Sequence, residues 1–296
     1  MAGKSPVIPV YTEADSFEDG RINDFYVSSY EDSEPDYLIR VEPHRHTYYE
    51  IIFIVEGKGR HVIDFTEYPF QGPCLFLLQP GHVHQIIKFN QTKGYVVKFS
   101  ESMLETADGA ENAHLKNEVF DNIQAKPVVH PDKMMFVALE ELVVQMRKEY
   151  KTTSDLSRRI LMSYLTIFLL QIAKSKGGDT DVRVNPRVTL FRNFKKLVEE
   201  RYAKEHSVEF YANELHCSVR SLNTLANENA GKTAKEIIND RIILEAKRLL
   251  YNGSMTIKEI AFQMGFDDPA YFSRFFAKQA GLSALSFRET ELNRSR

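Results

Sequence analysis

The stretch IKEIAFQMGFDDPAYFSRFF, residues 257–276, decides the fold of the last third of the chain. Its apolar residues recur every three or four positions on both sides of a break at Gly265, which predicts two short helices joined by a tight turn. Asp268 and Pro269 are typical of the start of the second helix, since aspartate caps the first turn and proline suits the first helical position. Gly281 suits the left-handed residue that ends a helix. The stretch therefore predicts a helix-turn-helix.

An earlier copy of this pattern lies upstream. It runs ANELHCSVRSLNTL over residues 212–225, and Ser218 is its expected N-cap. Matching positions lie 49 residues apart at the start and 50 at the end, at Gly231 and Gly281, so the later copy has one extra turn residue. Capping boxes at TAKE (233–236) and TIKE (256–259) begin further helices. The connecting helix, about 19 residues or 28 Å long, could place the second helix of each copy about one DNA turn (~34 Å) apart.

These residues resemble the AraC/XylS family of bacterial transcription regulators. The resemblance rests on residues 257–276, on the tail GLSALSFR (281–288) and on the EAKRLL run (245–250) of the connecting helix. It covers roughly residues 190–290 and implies an all-α DNA-binding domain over residues 186–296 with two helix-turn-helix units. The sequence departs from the family pattern at Ala226, where a large aromatic is usual, and at Ala284, where proline is usual.

The resemblance also implies which side chains contact DNA. The implied base contacts are Arg220, Ser221, Asn223 and Thr224 in the first unit and Ala270, Ser273 and Arg274 in the second. These residue types suit the role, because arginine can bridge guanine, asparagine can pair with adenine and alanine can touch a thymine methyl group. Thr233, Lys278 and Ser283 are expected to contact phosphates. Leu222, Leu225, Phe272, Phe275 and Phe276 fall on the opposite, core-facing stripe.

Composition and charge agree with two domains. The chain has 296 residues, 43% hydrophobic and 27% charged, which excludes a disordered chain and favours two domains over one or three. Residues 1–176 carry 19 Lys and Arg against 25 Asp and Glu, whereas residues 177–296 carry 19 against 16. The basic excess places a polyanion partner at the C-terminal domain. Cys74 and Cys217 are too few for a disulfide framework. We find no signal sequence or membrane span and expect a cytoplasmic protein.

The N-terminal part, residues 1–130, has the texture of a small β-structure. Short apolar runs are separated by Gly- and Pro-rich turns, which favours a sandwich or a small barrel. The predicted strands are 49–55, 61–65, 74–78, 83–87 and 95–99. Together with the C-terminal helices, this gives an α+β chain of two domains: a cupin-like β-barrel with a helical hairpin, then an all-α tandem helix-turn-helix.

Two histidine-rich segments mark this barrel. PHRH (43–46), Glu50 and Gly57 resemble the first cupin motif, and PGHVH (80–84) resembles the second. Residues 44, 46 and 50 share strand parity and face the lumen, where His84 from a facing strand could join them. Three imidazoles and a carboxylate suit Fe, Mn, Ni or Zn, yet the resemblance implies that regulators of this family commonly keep such histidines without a demonstrated metal role. We expect no cofactor, and three roles stay open: a metal site at His44, His46, Glu50 and His84; a polar effector pocket of these residues with Tyr48; or structural hydrogen bonds at the barrel mouth.

Residues 131–178 predict a helical hairpin followed by a linker that extends to Pro186. Apolar residues recur at helical spacing, among them Leu161, Leu165 and Phe168. This face either packs on the barrel or forms a dimer seam, and the resemblance favours the seam.

These observations together predict a sequence-specific transcription regulator controlled by a small molecule in the barrel, and not an enzyme. The expected partners are double-stranded promoter DNA, an effector, a second copy of the chain and RNA polymerase, with no membrane. Two alternatives are a metal-dependent cupin enzyme fused to a DNA-binding domain and a ligand-independent regulator.

Overall fold

A computed structural model describes residues 8–17, 24–30, 42–88, 91–104, 115–116, 118–120, 126–152, 154–178 and 186–294. The chain divides into two compact units, one spanning Pro9–Thr180 and the other including Asp181–Arg296. Each unit has its own core and is described separately.

The N-terminal unit contains ten strands within the described ranges. They are β1 (Val10–Tyr11), β2 (Phe25–Ser29), β3 (Arg45–His46), β4 (Tyr49–Glu56), β5 (Lys58–Ile63), β6 (Thr66–Gln71), β7 (Cys74–Leu78), β8 (His84–Lys88), β9 (Lys93–Phe99) and β10 (Val128–Val129), with a short helix α1 (Glu13–Ser16) after β1. A five-stranded sheet has the order β10-β7-β4-β9-β2, a three-stranded sheet has the order β6-β5-β8, and β1 pairs with β3 in parallel.

Strand parity sorts the side chains of the five-stranded sheet between two cores. On β4, Ile52 and Ile54 contact an apolar cluster shared with the three-stranded sheet, whereas Ile51 and Phe53 face the opposite cluster. Because side chains alternate along a strand, Glu50 lies on the same face as Ile52, toward the three-stranded sheet. This parity places the polar residues of the cupin-like motifs between the two sheets.

The predicted cupin-like β-structure is present, but its described strands do not close into a barrel. In the part of the chain that the structure describes, hydrogen bonding leaves β6 and β8 at the edges of one sheet and β10 and β2 at the edges of the other. Edge strand β6 contains Pro69, which has no backbone N–H to donate to a further strand. The two larger sheets meet through their shared apolar cluster. In addition, His44, directly before β3, and His84 on β8 form an isolated bridge, with backbone hydrogen bonds of 3.0 and 2.8 Å.

Two long helices cover the other face of the five-stranded sheet. They are α2 (Lys133–Tyr150) and α3 (Asp155–Ala173), which continues as a π-helical turn over Lys174–Gly178. Leu161, Leu165 and Phe168 are fully buried in one cluster with Phe53 and Val97 of the sheet. This face of the hairpin is therefore part of the core of the N-terminal unit, and the prediction that the same face forms a dimer seam is wrong. Among the described residues, 155–176 form the one helix that is long and apolar enough to cross a membrane, and 39% of its apolar stretch is buried.

The C-terminal unit is all α. Its helices are α4 (Pro186–Arg201), α5 (Val208–Glu214), α6 (Val219–Ala230), α7 (Ala234–Asn252), α8 (Ile257–Gln263), α9 (Pro269–Ala280) and α10 (Ala284–Arg294). The predicted caps are confirmed: the side chains of Ser218 and Asp268 accept hydrogen bonds from the first turns of α6 and α9. Thr233 and Thr256 form capping boxes, and Gly231 and Gly281 are left-handed.

The two helix-turn-helix turns differ in length and in one residue type. Four residues separate α5 from α6, and five separate α8 from α9, as the change in repeat offset predicts. The first turn contains His216 at φ +51°, and the matching position of the second is Gly265 at φ +75°. Gly265 is required there, because a Cβ would lie 2.4 Å from the carbonyl oxygen of Ala203.

Within the C-terminal unit, helix α7 supports both helix-turn-helix motifs. It packs against α6, α8, α9 and α10, and most of its residues are buried. Arg241 on this helix donates to Glu199 on α4 at 2.7 Å and to Glu245 at 3.1 Å, and the buried Arg248 donates to the same Glu245 carboxylate at 3.3 Å. This paired network fixes α7 against α4.

Candidate nucleic-acid interface and effector pocket

Helices α6 and α9 are the second helices of the two helix-turn-helix motifs, and each has one exposed and one buried face. Leu222 and Leu225 on α6, and Phe272 and Phe276 on α9, are buried as predicted, whereas Phe275 is only half-buried. Ala226 is also buried, so a small residue fills the position where a large aromatic is usual. The opposite faces carry exposed polar side chains, among them Arg220 and Arg274.

Most of the predicted base-contacting residues lie on these exposed faces. Exposed members are Arg220, Ser221, Thr224, Ala270, Ser273 and Arg274. The Arg274 side chain is 69% exposed, with its Nη2 atom 3.7 Å from Asp268 Oδ2. Since an exposed ion pair contributes little free energy, Arg274 can leave Asp268 for a nucleic-acid partner.

Three predicted base contacts are engaged within the protein. The Asn223 side-chain oxygen accepts a hydrogen bond from Ala234 N at 3.0 Å, which ties α6 to the start of α7. The hydroxyls of Thr224 and Ser273 donate to the carbonyl oxygens of Arg220 and Pro269, one turn earlier in each helix. Asn223 is half-buried, so its amide nitrogen is the group left to contact a base.

The predicted phosphate contacts lie at helix ends. Thr233 is the N-cap of α7, and its hydroxyl both donates to Glu236 Oε2 and accepts from Glu236 N. Ser283 accepts from Ser286 N at the start of α10 in the same way. Lys278 is exposed in the last turn of α9. Thr233 and Ser283 thus stabilise helix N-termini, which are also suited to bind phosphate oxygens.

The N-terminal unit brings three of the four predicted metal-ligating residues together. One donor atom from each of His46, Glu50 and His84 lies within 4.8 Å of the others, and all three residues are buried. Glu50 Oε2 is 3.7 Å from His46 Nε2 and 3.6 Å from His84 Nε2. The His44–His84 backbone bridge positions the second motif against the first.

His44 and Tyr48 lie beside this trio. The Nδ1 atom of His44 is 2.9 Å from Glu42 O, and its ring packs against that of His84 with centroids 4.2 Å apart. The Tyr48 ring stacks on His46 at 4.4 Å, and its hydroxyl accepts from Ser16 Oγ at 2.8 Å. Both side chains are buried, so they support the trio from either side.

Two further members of this polar cluster, Lys98 and His61, are not among the residues predicted from the sequence. Lys98 on β9 pairs across the strands with Glu50, and its ammonium is 3.8 Å from Glu50 Oε1. His61 on β5 lies with its Nε2 3.1 Å from His84 Nδ1. The signal in both cases was a polar residue at a buried position of a strand: Lys98 alternates with the core residues Val97 and Phe99, and His61 shares a face with Ile63.

Burial sets the charge state of these imidazoles. It lowers the pKa of His61 to about 3 and holds the pKa of His84 well below its usual value, and the neighbouring histidines add to both effects. Both rings are therefore neutral at neutral pH, with a lone pair on one nitrogen of each.

Comparisons with known proteins match both halves of the chain. A helix-turn-helix domain model matches residues 211–290, and an AraC-like ligand-binding domain model matches residues 26–166. The transcriptional regulator YfiF of Bacillus subtilis is 27% identical over 252 residues, covering 83% of this chain and 78% of YfiF. The transcriptional activator RhaS of Citrobacter koseri is 21% identical over 262 residues, covering 83% of this chain and 87% of RhaS. A ToxT structure from Vibrio cholerae covers 90% of this chain and 98% of ToxT, with 16% identity and a TM-score of 0.44.

The tandem helix-turn-helix and the N-terminal ligand-binding domain define a DNA-binding transcription regulator. More specifically, the two domain models together match most of the chain, and the chain belongs to the AraC family of transcription regulators. The prediction of this family, of its two-domain fold and of its regulatory function is confirmed.

Proposed function

We propose that the exposed faces of α6 and α9 contact operator bases, with Arg220 and Arg274 as the principal contacts. The observation that carries this is the exposure of both arginines on helices whose opposite faces are buried. Ser221, Thr224, Ala270 and Ser273 line the same faces, with Asn223 at their margin. Thr233, Lys278 and Ser283 contact the flanking phosphates.

Single substitutions test this assignment. Arg274→Ala should weaken operator binding by about 1–3 kcal/mol and relax preference at one base position, because a bidentate arginine discriminates by about that amount. Lys196→Ala removes an exposed cation from α4, outside both helix-turn-helix units, and is the matched control. We would measure affinity and sequence preference by binding to a randomised DNA library. Equal effects of the two variants would contradict the assignment of α9.

We further propose that the polar cluster between the sheets is the effector pocket, formed by His44, His46, Tyr48, Glu50 and His84. The support is geometric, because buried donors and acceptors of His46, Glu50 and His84 converge on one point, and convergent polar groups are what orients a ligand in a binding site. The effector must bind the DNA-competent arrangement with a different affinity from the other arrangement, or no control results.

A thermal-shift screen of small polar compounds tests the pocket. A compound present at 100 times its Kd should raise the free energy of unfolding by about 2.7 kcal/mol. Its stabilisation should be lost in Tyr48→Phe or His44→Gln, which keep most of the side-chain volume. A screen without hits would favour the ligand-independent regulator.

We propose that α3 also forms a homodimer seam. Leu156, Ile160, Ile167 and Leu170 on α3 are exposed between 40% and 66%. With Ser163 they follow steps of four, three, four and three residues, the spacing of a coiled-coil seam. An open groove of about 410 Å³ lined by Arg159, Met162, Ser163, Thr166 and Ile167 runs along the same face. A second copy of this helix fits such a seam.

Sedimentation tests the dimer. Ile167→Glu and Leu170→Glu should convert a dimer to a monomer, because each introduces a carboxylate into the apolar seam. Met134→Glu, at a site 84% exposed on α2, is the matched control and should leave the dimer intact. A monomeric parent chain would contradict the seam.

The remaining proposals concern the cellular role. The protein acts in the cytoplasm, associated with the nucleoid, and activates promoters by contacting RNA polymerase; the activator RhaS supports this direction of control. It has no enzymatic activity, as expected of a regulator. A promoter fused to a reporter, with and without the gene for this chain, tests the direction of control.

A further inference from the structure

The spacing of the polar trio is characteristic of ligands around a shared cation. Glu50 Oε2 lies 3.7 and 3.6 Å from the two imidazole nitrogens, beyond hydrogen-bond distance. Donors bound about 2.0–2.2 Å from a tetrahedral ion lie about 3.3–3.6 Å apart, so these separations are at or within about 0.1 Å of the upper end of that range. The buried Nε2 atom of His84 makes no hydrogen bond.

The other ring nitrogens are arranged as in metal-bound histidines. His46 Nδ1 lies 2.6 Å from the carbonyl oxygen of Tyr48. Since a carbonyl only accepts, Nδ1 carries the proton and the lone pair is on Nε2, which faces Glu50. His84 Nδ1 lies 3.1 Å from His61 Nε2, which can accept its proton in the same manner. Such partners fix the tautomer and orientation of ligating imidazoles.

The two carboxylate oxygens of Glu50 face different partners. Its Oε2 atom faces the two imidazoles, whereas its Oε1 atom lies 3.8 Å from the ammonium of Lys98. Lys98 is therefore placed to hold the second carboxylate oxygen and leave the first to act as a single ligand. His44, whose Nδ1 faces Glu42 O, is outside the trio.

We propose that His46, Glu50 and His84 bind one divalent transition-metal ion, with Zn²⁺ or Fe²⁺ as the ions best suited to two imidazoles and a carboxylate. This inference rests on the proposed effector pocket and names the class of ligand that its polar residues hold. The ligands come from three sheets, since His46 is on β3, Glu50 on β4 and His84 on β8. The ion therefore joins these sheets and stabilises the N-terminal unit.

Metal titration of the full chain tests the site. The chelator-stripped protein is titrated with Zn²⁺ by calorimetry, and with Co²⁺ while its visible absorption is recorded. We expect one ion per chain, absorption typical of tetrahedral coordination, and a higher melting temperature. Glu50→Gln keeps the shape of the side chain and should lower Zn²⁺ affinity at least tenfold. His82→Gln is the matched control, because His82 is also buried but lies against Asp64, outside the trio.

The outcomes separate this site from the DNA-binding function. If Glu50→Gln fails to fold, His84→Gln replaces it, with folding checked by circular dichroism. No bound Zn²⁺, or equal binding by parent and both variants, would overturn the proposal. Operator binding is measured in parallel on the chelator-stripped protein. A failure to bind Zn²⁺ is then distinguishable from a failure to bind DNA.

Discussion

Gly265 and Gly281 share a left-handed backbone but differ in the space around them. Their φ values are +75° and +78°. At Gly281 a Cβ would meet no atom within 4 Å, whereas at Gly265 it would lie 2.4 Å from Ala203 O. Gly281→Ala should therefore lower the free energy of unfolding only by the cost of the left-handed conformation, about 1–2 kcal/mol, partly offset by a stiffer unfolded chain.

Gly265→Ala carries the same backbone cost and adds a clash with a main-chain oxygen. Relieving such a clash requires a backbone shift, which typically costs a further 1–3 kcal/mol or so. We expect a total loss of about 2–4 kcal/mol.

Hydrogen exchange of the full chain, followed in peptides covering α8 and α9, measures the stability of this region directly. Both variants are compared with the parent under identical conditions. Equal protection in the two variants would show that the contact between the second turn and Ala203 contributes nothing, and that the backbone conformation alone requires glycine.

Three further predictions concern stability. In the presence of a chelator, the N-terminal unit should lose stability as the pH falls below about 6.5, because unfolded His61 and His84 take up protons that the folded rings exclude. Each histidine should contribute a slope of up to about 1.4 kcal/mol per pH unit, and for His61 this slope should continue down to its folded pKa of about 3. Thermal melts between pH 7.5 and 5 check this, and a flat profile would contradict it. Arg241→Ala should cost the C-terminal unit about 3 kcal/mol in urea unfolding, at the low end for a broken buried pair because Glu199 is partly exposed; a loss below 1 kcal/mol or so would refute the role of the network. Thr256→Ala should reduce stability by about 1 kcal/mol through loss of the α8 cap, whereas Thr256→Ser should be nearly neutral, and identical melts of the two would count against the capping box.

Local signals in the sequence were sufficient for the C-terminal unit. Caps such as Ser218 and Asp268 act within one turn of their own helix, so their residue types predict the helix starts directly. The extra residue in the second turn also followed from the repeat offset alone. The engagement of Asn223 with Ala234 did not, because it depends on how α6 meets α7.

The N-terminal unit was less predictable because its pairings are nonlocal. Strand Cys74–Leu78 was predicted with its observed bounds, since it is a continuous apolar run between turn residues. Strand Thr66–Gln71 was missed, as it is mostly polar and contains Pro69, which an edge strand tolerates. Sheet closure depends on which edges meet, and short-range pattern does not determine that. Lys98 was missed for the same reason, because its partner Glu50 lies on a strand 48 positions earlier in the chain.

Since α6 and α9 both pack against the single, largely buried helix α7, the interval between the two proposed DNA contacts should be nearly constant. Its operator should consist of two short blocks at one invariant separation. Inserting about half a helical turn of DNA, roughly five base pairs, would carry one block to the far side of the duplex and leave only one unit engaged. Substitutions on the exposed face of α6 or of α9 should then change the sequence of one block and leave the distance between the blocks unchanged.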